Sequence, residues 1–186
     1  MGLMNFIFGK PKKQATTTKT TYVYQADWES YFLIGTNPEK GIYVDLGLKK
    51  VAPLLHQENM LKISIEMLSP KANGLASQRE NETLFEIEES LSEELWQLYD
   101  ITYAGRLTEN GERHFYFYVD TYFRIEERIN EIMSEYGNYN YSTELQKDPL
   151  WRNYFGILFP TDQQYSIILN KRLNDAISKL DSLIKL

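Results

Sequence analysis

The sequence predicts an α+β fold built on a ferredoxin-like β-α-β-β-α-β core, with a β-hairpin before it and helices after it. Three observations carry this expectation. Apolar residues alternate in short runs that read as strands, at Leu61–Met67, Ile101–Leu107, Arg113–Val119 and Tyr139–Leu145. Two stretches between these runs repeat at three- and four-residue spacing, which places one apolar stripe on a helix. Asn110-Gly111 separates two of the runs, and a type I′ turn needs positive φ at both central residues, which Asn-Gly tolerates. Read in order, residues 60–146 give the ferredoxin-like succession, and right-handed crossovers put both helices on one face of the sheet.

The leading hairpin is read from Tyr22–Ile34, with Tyr24, Trp28 and Phe32 on the expected apolar face, and from Ile42, Val44, Leu46 and Leu48. In the first helix, 78–99, Ser77 and Glu80 have the spacing of a capping box, and the stripe is Leu84, Ile87, Leu91, Leu95 and Leu98. Asp120 is the expected cap of the second helix, whose stripe runs Tyr122, Ile125, Ile129, Ile132 and Tyr136, with Gly137 as its left-handed end. A short helix is expected from Asp148-Pro149, carrying Trp151, Tyr154, Phe155 and Leu158. After Pro160, Thr161 caps a last helix with the stripe Tyr165, Ile168, Leu169, Leu173, Ile177, Leu180 and Ile184. Both faces of the central hairpin are apolar or aromatic. Tyr103, Leu107, His114, Tyr116 and Tyr118 are assigned to one face, with Tyr103 opposite Tyr118. Ala104, Arg106, Arg113, Phe115, Phe117 and Val119 are assigned to the other. The C-terminal helices or the leading hairpin are therefore expected to cover part of the second face.

The chain has 186 residues, no cysteine, a net charge of −6 and 42% hydrophobic residues. Such a chain buries a large core without cross-links, and without cysteine it has neither disulfides nor thiolate metal sites. A pI of about 5.1 argues against nucleic acid as the primary ligand. Residues 1–20 hold four lysines and no acid, which leaves −10 for the rest. This arm is read as a flexible basic and apolar segment before one domain at 21–186; the alternative is an amphipathic foot on a membrane or partner. No apolar run is long enough to span a bilayer, and a cytoplasmic location is expected.

No catalytic constellation is recognised: there is no thiol, no G-x-S-x-G elbow, no H-E-x-x-H and no glycine-rich phosphate loop. No cofactor or metal site is assigned, and Asp27, Glu29 and Asp45 are read as a solvated strand face rather than a cation site. Two candidate sites remain. Arg106 and Arg113 fall diagonally on one largely apolar hairpin face, where guanidiniums need carboxylates such as Glu80 or Asp120, or an anionic ligand; His114 is taken with them as a candidate ligand residue. Helix 78–99 carries a charge of −6, and Glu82, Glu86, Glu89 and Glu93, spaced by four, three and four, form a candidate docking face for a basic protein partner.

Several short phrases have a familiar arrangement. Asp27-Trp28-Glu29-Ser30-Tyr31-Phe32, Val44-Asp45-Leu46-Gly47-Leu48, Asn73-Gly74-Leu75, Ala104-Gly105-Arg106, Gly111-Glu112-Arg113-His114-Phe115-Tyr116 and Asp148-Pro149-Leu150-Trp151-Arg152-Asn153-Tyr154 resemble the bacterial family catalogued as domain of unknown function 695. The resemblance covers roughly residues 25–185. Some members of that family are fused to a domain like regulator of ribonuclease activity B, which implies a regulatory partner in RNA processing; no catalytic residue is implied. The expected function is a non-enzymatic cytoplasmic binding or regulatory protein. The alternative is a small-anion-binding protein or enzyme that uses Arg106 and Arg113.

Overall fold

A computed structural model describes residues 24–184. The arm at 1–20 and the start of the expected first strand at Tyr22 lie outside the described residues. The elements are β1 (Trp28–Leu33), β2 (Lys40–Asp45), β3 (Asn59–Glu66), α1 (Gln78–Leu98), β4 (Ile101–Glu109), β5 (Glu112–Val119), α2 (Ile125–Met133), β6 (Tyr141–Lys147) and α3 (Asp162–Ile184). One mixed α+β arrangement results: a six-stranded antiparallel sheet in the order β1-β2-β4-β5-β3-β6. It is wider than a four-stranded core because hairpin β1–β2 joins it at the side of β4. Among the described residues no helix is long and apolar enough to cross a membrane.

Both helices of the middle region pack on one face. Leu84, Ile87, Leu91 and Leu95 of α1 and Ile125, Ile129 and Ile132 of α2 cover Leu61, Ile63, Ile65, Phe115, Phe117 and Val119. The serine cap of α1 forms as expected, with Ser77 Oγ accepting from the Glu80 amide at 3.3 Å. The Glu80 carboxylate does not turn back to complete the box; it accepts from the Leu68 and Ser69 amides at 3.0 and 2.9 Å and so ties the preceding loop to the helix. The central turn falls at Asn110-Gly111, with φ of 51° and 80°.

Three local readings are corrected. Asp120 does not cap α2, since its carboxylate accepts from the Thr121 amide and the helix starts later, after Arg124 at φ 59°. Gly137 is right-handed, at φ −58°, because a 3₁₀ turn over Ser134–Tyr136 closes the helix first. Pro149 lies in a turn, and the following helical segment has π-helical geometry over Tyr154–Leu158.

A fourth correction concerns β4. Glu109 to Gly105 pair with Glu112 to Tyr116 as the Asn-Gly turn dictates, but the next pair is Tyr103 with Phe117. Ala104 is an extra residue, a β-bulge. Because side chains alternate along a strand, one inserted residue sends everything beyond it to the opposite face. Tyr103 therefore joins the helix face, its ring centroid 4.9 Å from that of Phe117, and Ala104 joins the other core. Gly105, at φ 144°, is the hinge: a Cβ there would lie 2.3 Å from the Tyr43 carbonyl oxygen.

The second face carries Met60, Leu107, Tyr116 and Tyr118. Trp151, Tyr154, Leu158 and Ile168 cover it. Trp151 stacks on Tyr118 with ring centroids 3.8 Å apart, and its indole N–H donates to the Gln57 carbonyl at 2.9 Å. Asp148 fixes this layer. Its carboxylate accepts from the amides of Arg152 (2.7 Å) and Asn153 (2.9 Å), from Asn153 Nδ2 (3.0 Å) and from the Tyr118 hydroxyl (2.8 Å). Thr161 and Gln164 cap α3 reciprocally. Beyond Ile168, however, the expected apolar stripe does not pack: Leu169, Leu173, Ile177 and Leu180 are exposed. The helix passes the edge strand, and Arg172 anchors it there on Asp27 and Glu29 at 2.9 and 2.7 Å.

Two outcomes are expected. Gly105→Ala should lower the unfolding free energy by at least about 2 kcal/mol, since both the positive φ and the Tyr43 carbonyl oppose a side chain; urea unfolding measures it. Burial raises the Asp148 carboxyl pKa, but the four donors outweigh burial and hold it below its ordinary 3.8. The stabilisation it gives is therefore complete above pH 3.8 and lost as pH falls through the lower, folded-state value. Asp148→Asn should cost about 3 kcal/mol at neutral pH, because an amide cannot accept from all four donors. In pH-dependent thermal unfolding, the gap between this variant and the parent should close in acid.

Candidate functional site

The first hairpin departs from its expected facing, and the departure creates a cavity. Tyr31, not Phe32, turns into the second core, where its hydroxyl donates to the Leu158 carbonyl at 2.8 Å. Trp28, Ser30 and Phe32 face the helix side. Neither helix extends over them, so Phe32 stays 60% exposed. Trp28 finds partial cover by stacking on Tyr43 at 4.8 Å. The step between this uncovered hairpin and the first turns of α1 encloses a cavity of about 270 Å³.

Arg106 and Arg113 both form part of its wall, together with Asn81 and Phe85 of α1, Tyr43 of β2 and Thr108 of β4. The regular pairing between the Asn-Gly turn and Gly105 keeps both arginines on the helix face. Asn81, Phe85 and Glu88 follow one another at four and three residues, so α1 presents them along one side, beside its core stripe.

The two guanidiniums are held differently. Arg106 Nη1 donates to both Glu88 carboxylate oxygens at 2.5 Å, and the Tyr103 hydroxyl donates to the same carboxylate at 2.8 Å. Its Cζ lies 4.3 Å from the Tyr43 ring centroid and 4.8 Å from that of Phe85, so the cation sits between two aromatic rings. The carboxylate partner is Glu88, not the Glu80 or Asp120 considered from sequence, since those two are taken by backbone amides.

Arg113 is only 4% exposed. Its Nε donates to Thr108 Oγ1 at 3.0 Å and its Nη2 to Asn81 Oδ1 at 2.6 Å, both neutral acceptors. Its Nη1 is buried and has no hydrogen-bond partner, and among the described residues it forms no ion pair with a carboxylate. Burial, then the neighbouring Arg106 charge, pushes its pKa down to about 10. It remains a cation at neutral pH, destabilised by its surroundings.

His114 is placed elsewhere. It lies on the opposite face of the sheet, with Nδ1 2.8 Å from Ser64 Oγ and Nε2 3.6 Å from Glu112. Burial lowers its pKa, against the pull of Glu112. The acids considered for a cation are committed otherwise: Asp27 and Glu29 to Arg172, and buried Asp45 to the Tyr24 hydroxyl and the amides of Asp27 and Gly47. Glu82, Glu86, Glu89 and Glu93 all lie exposed along α1, and none forms an ion pair among the described residues.

Sequence reasoning did not name Glu88, Asn81, Phe85, Tyr43 or Thr108. The helical spacing of Asn81, Phe85 and Glu88 was a usable signal; the hairpin residues gave none, because their facing depends on what α1 fails to cover.

An antiparallel sheet with helices on one face, an aromatic segment on the other and a two-arginine cavity at its open corner defines an α+β protein with a candidate anion site. The chain belongs to a family of unknown function, DUF695, whose model matches residues 26–159. The match ends before α3 begins. No curated protein and no solved structure shows a significant match.

Proposed function

We propose that this protein binds a small anion in the cavity between hairpin β1–β2 and the start of α1. The observation that carries the reading is Arg113: a buried guanidinium with no carboxylate partner and an unpaired Nη1. A buried cation is costly unless a counter-charge completes it, and perturbed, unpaired groups in a concavity are characteristic of ligand sites. Arg106, already neutralised by Glu88, would orient the ligand, and Arg113 would supply the attraction. We place this activity in a non-catalytic binding or regulatory protein of the cytoplasm. We also read β3-α1-β4-β5-α2-β6 as a ferredoxin-like core widened by β1–β2; the order β4-β5-β3-β6 and the two helices on one face support this.

The test compares the parent with Arg113→Met at constant ionic strength. At least one of inorganic phosphate, acetate and benzoate should raise the melting temperature of the parent above its value in chloride. The variant should lose that response. It should also unfold within about 1 kcal/mol of the parent, because an apolar side chain replaces a buried charge that lacks a counter-ion. If no anion shifts the parent, or if the variant responds equally, the reading fails.

A second reading rests on the four exposed, unpaired glutamates of α1: a docking face for a basic protein partner, steered by charge. Replacing all four by glutamine should keep or raise thermal stability and abolish capture of partners from a host lysate at low salt. Equal recovery with both proteins, or none with either, would sink it.

A further inference from the structure

We infer that the cavity accepts the carboxylate of a small, flat, apolar monoacid of the benzoate type. This rests on the anion-site reading above and adds the ligand class. Three features of the wall select it.

The first is charge. Arg106 and Arg113 bring two positive charges into the wall, and Glu88 removes one. One net positive charge is left among the buried groups, so a monoanion neutralises it. A phosphate dianion would overcompensate and would surrender more hydration on entry. Lys71 at the rim is exposed, and solvent screens it.

The second is donor geometry. Arg113 has committed Nε and Nη2 to neutral acceptors, and Arg106 has committed Nη1 to Glu88. Among the described residues, what remains is Nη1 of Arg113 and the Nε and Nη2 edge of Arg106. The two oxygens of a single carboxylate match such a pair, one to each arginine. A tetrahedral oxyanion has more oxygens to satisfy than the two arginines meet, and the Phe85 ring beside both guanidiniums offers no donor.

The third is the rest of the surface. Away from the arginines the wall carries the apolar surfaces of Phe32, Tyr43, Leu75 and Phe85 alongside the polar Ser30 and Asn81. Phe32 is 60% exposed and Phe85 47% exposed, so both gain cover from an apolar ligand body. Tyr43 and Phe85 already flank a planar guanidinium, and a ring seated in the same corner extends the stack. A volume of about 270 Å³ suits one ring, since sites for larger ligands run from about 300 to 1,000 Å³.

The experiment titrates the full chain by calorimetry at constant ionic strength with benzoate, acetate, inorganic phosphate and the neutral analogue benzyl alcohol. Benzoate should bind at least about tenfold more tightly than acetate or phosphate, the ring contributing what acetate lacks. Benzyl alcohol should not bind detectably. Arg113→Met should abolish benzoate binding. Phe85→Ala, at a half-exposed position, should weaken benzoate by about tenfold and acetate by markedly less. If phosphate equals or exceeds benzoate, the ligand class is wrong and the anion site stands. If no anion binds, both fall. If benzyl alcohol binds as well as benzoate, or if neither variant changes benzoate binding, recognition does not occur at this arginine wall and the inference is overturned.

Discussion

A sheet whose central strands are apolar on both faces has to be covered twice, and here the second cover hangs on one carboxylate. The chain leaves β6 and must cross beneath the sheet to lay Trp151, Tyr154 and Leu158 against Tyr116 and Tyr118. To do so it turns sharply, and Trp151 takes a left-handed φ of 52°, which a bulky residue adopts only under constraint. Asp148 supplies the constraint. It gathers the amides of Arg152 and Asn153, which would otherwise be orphaned at the helical turn, and joins them to the Tyr118 hydroxyl of the sheet. The same hydroxyl accepts from the Tyr154 amide at 3.1 Å, so sheet and cover share a continuous hydrogen-bonded path through their apolar contact. Buried polar groups tolerated in this way fix one geometry among many apolar alternatives.

The first face is resolved differently, and its incompleteness is what gives the molecule its cavity. Two helices span β4, β5, β3 and β6 but not the added hairpin. Covering β1 and β2 on that side would need another helix, whereas α3 lies on the other face of the sheet, along the same edge, where Arg172 binds Asp27 and Glu29. The uncovered corner is not simply wet. Trp28, Tyr43 and Tyr103 stack along it, and the Ala104 bulge is what brings Tyr103 to that side. A local irregularity in one strand thus builds the aromatic floor that leads to the arginine wall, in keeping with the tendency of bulges to lie beside sites.

Much of this was legible from residues alone, for reasons that differ by element. Helix α1 announced itself through a long stripe and a serine cap, and β3 through strict alternation, because the stripe is buried from Leu84 to Leu95 and the strand along nearly all its length. The turn at Asn110-Gly111 was legible because its chemistry is local. The facing of β1 was not. Tyr24, Trp28 and Phe32 look like an inner face, but at an edge strand the inner face is set by which side a neighbour covers, a tertiary fact. The bulge was hidden for a related reason: Gly105 inside a strand is compatible with a bulge, but only the register against Phe117 shows that Ala104 is the inserted residue. The tail of α3 shows the converse, a convincing apolar stripe that finds no surface within the described residues. Of the site, the arginine pair was legible as two cations on an apolar face, whereas Glu88 and Asn81 became visible only when α1 was set against the hairpin.

The contrast between the two arginines carries the functional argument to its end. Arg106 meets every condition for a structural cation: a bidentate carboxylate, a tyrosine hydroxyl on that carboxylate, and aromatic rings on either side. Arg113, on the neighbouring strand and against the same phenylalanine, meets none that concerns charge. Thr108 and Asn81 orient it without neutralising it, and its proximity to Arg106 makes matters worse. A side chain that served only to fill that space would be better replaced by methionine or leucine, which need no counter-ion and leave no unpaired donor. The arrangement makes physical sense if the missing charge arrives from outside. Orientation by neutral groups then becomes an advantage, because it holds the guanidinium ready while leaving its charge unspent.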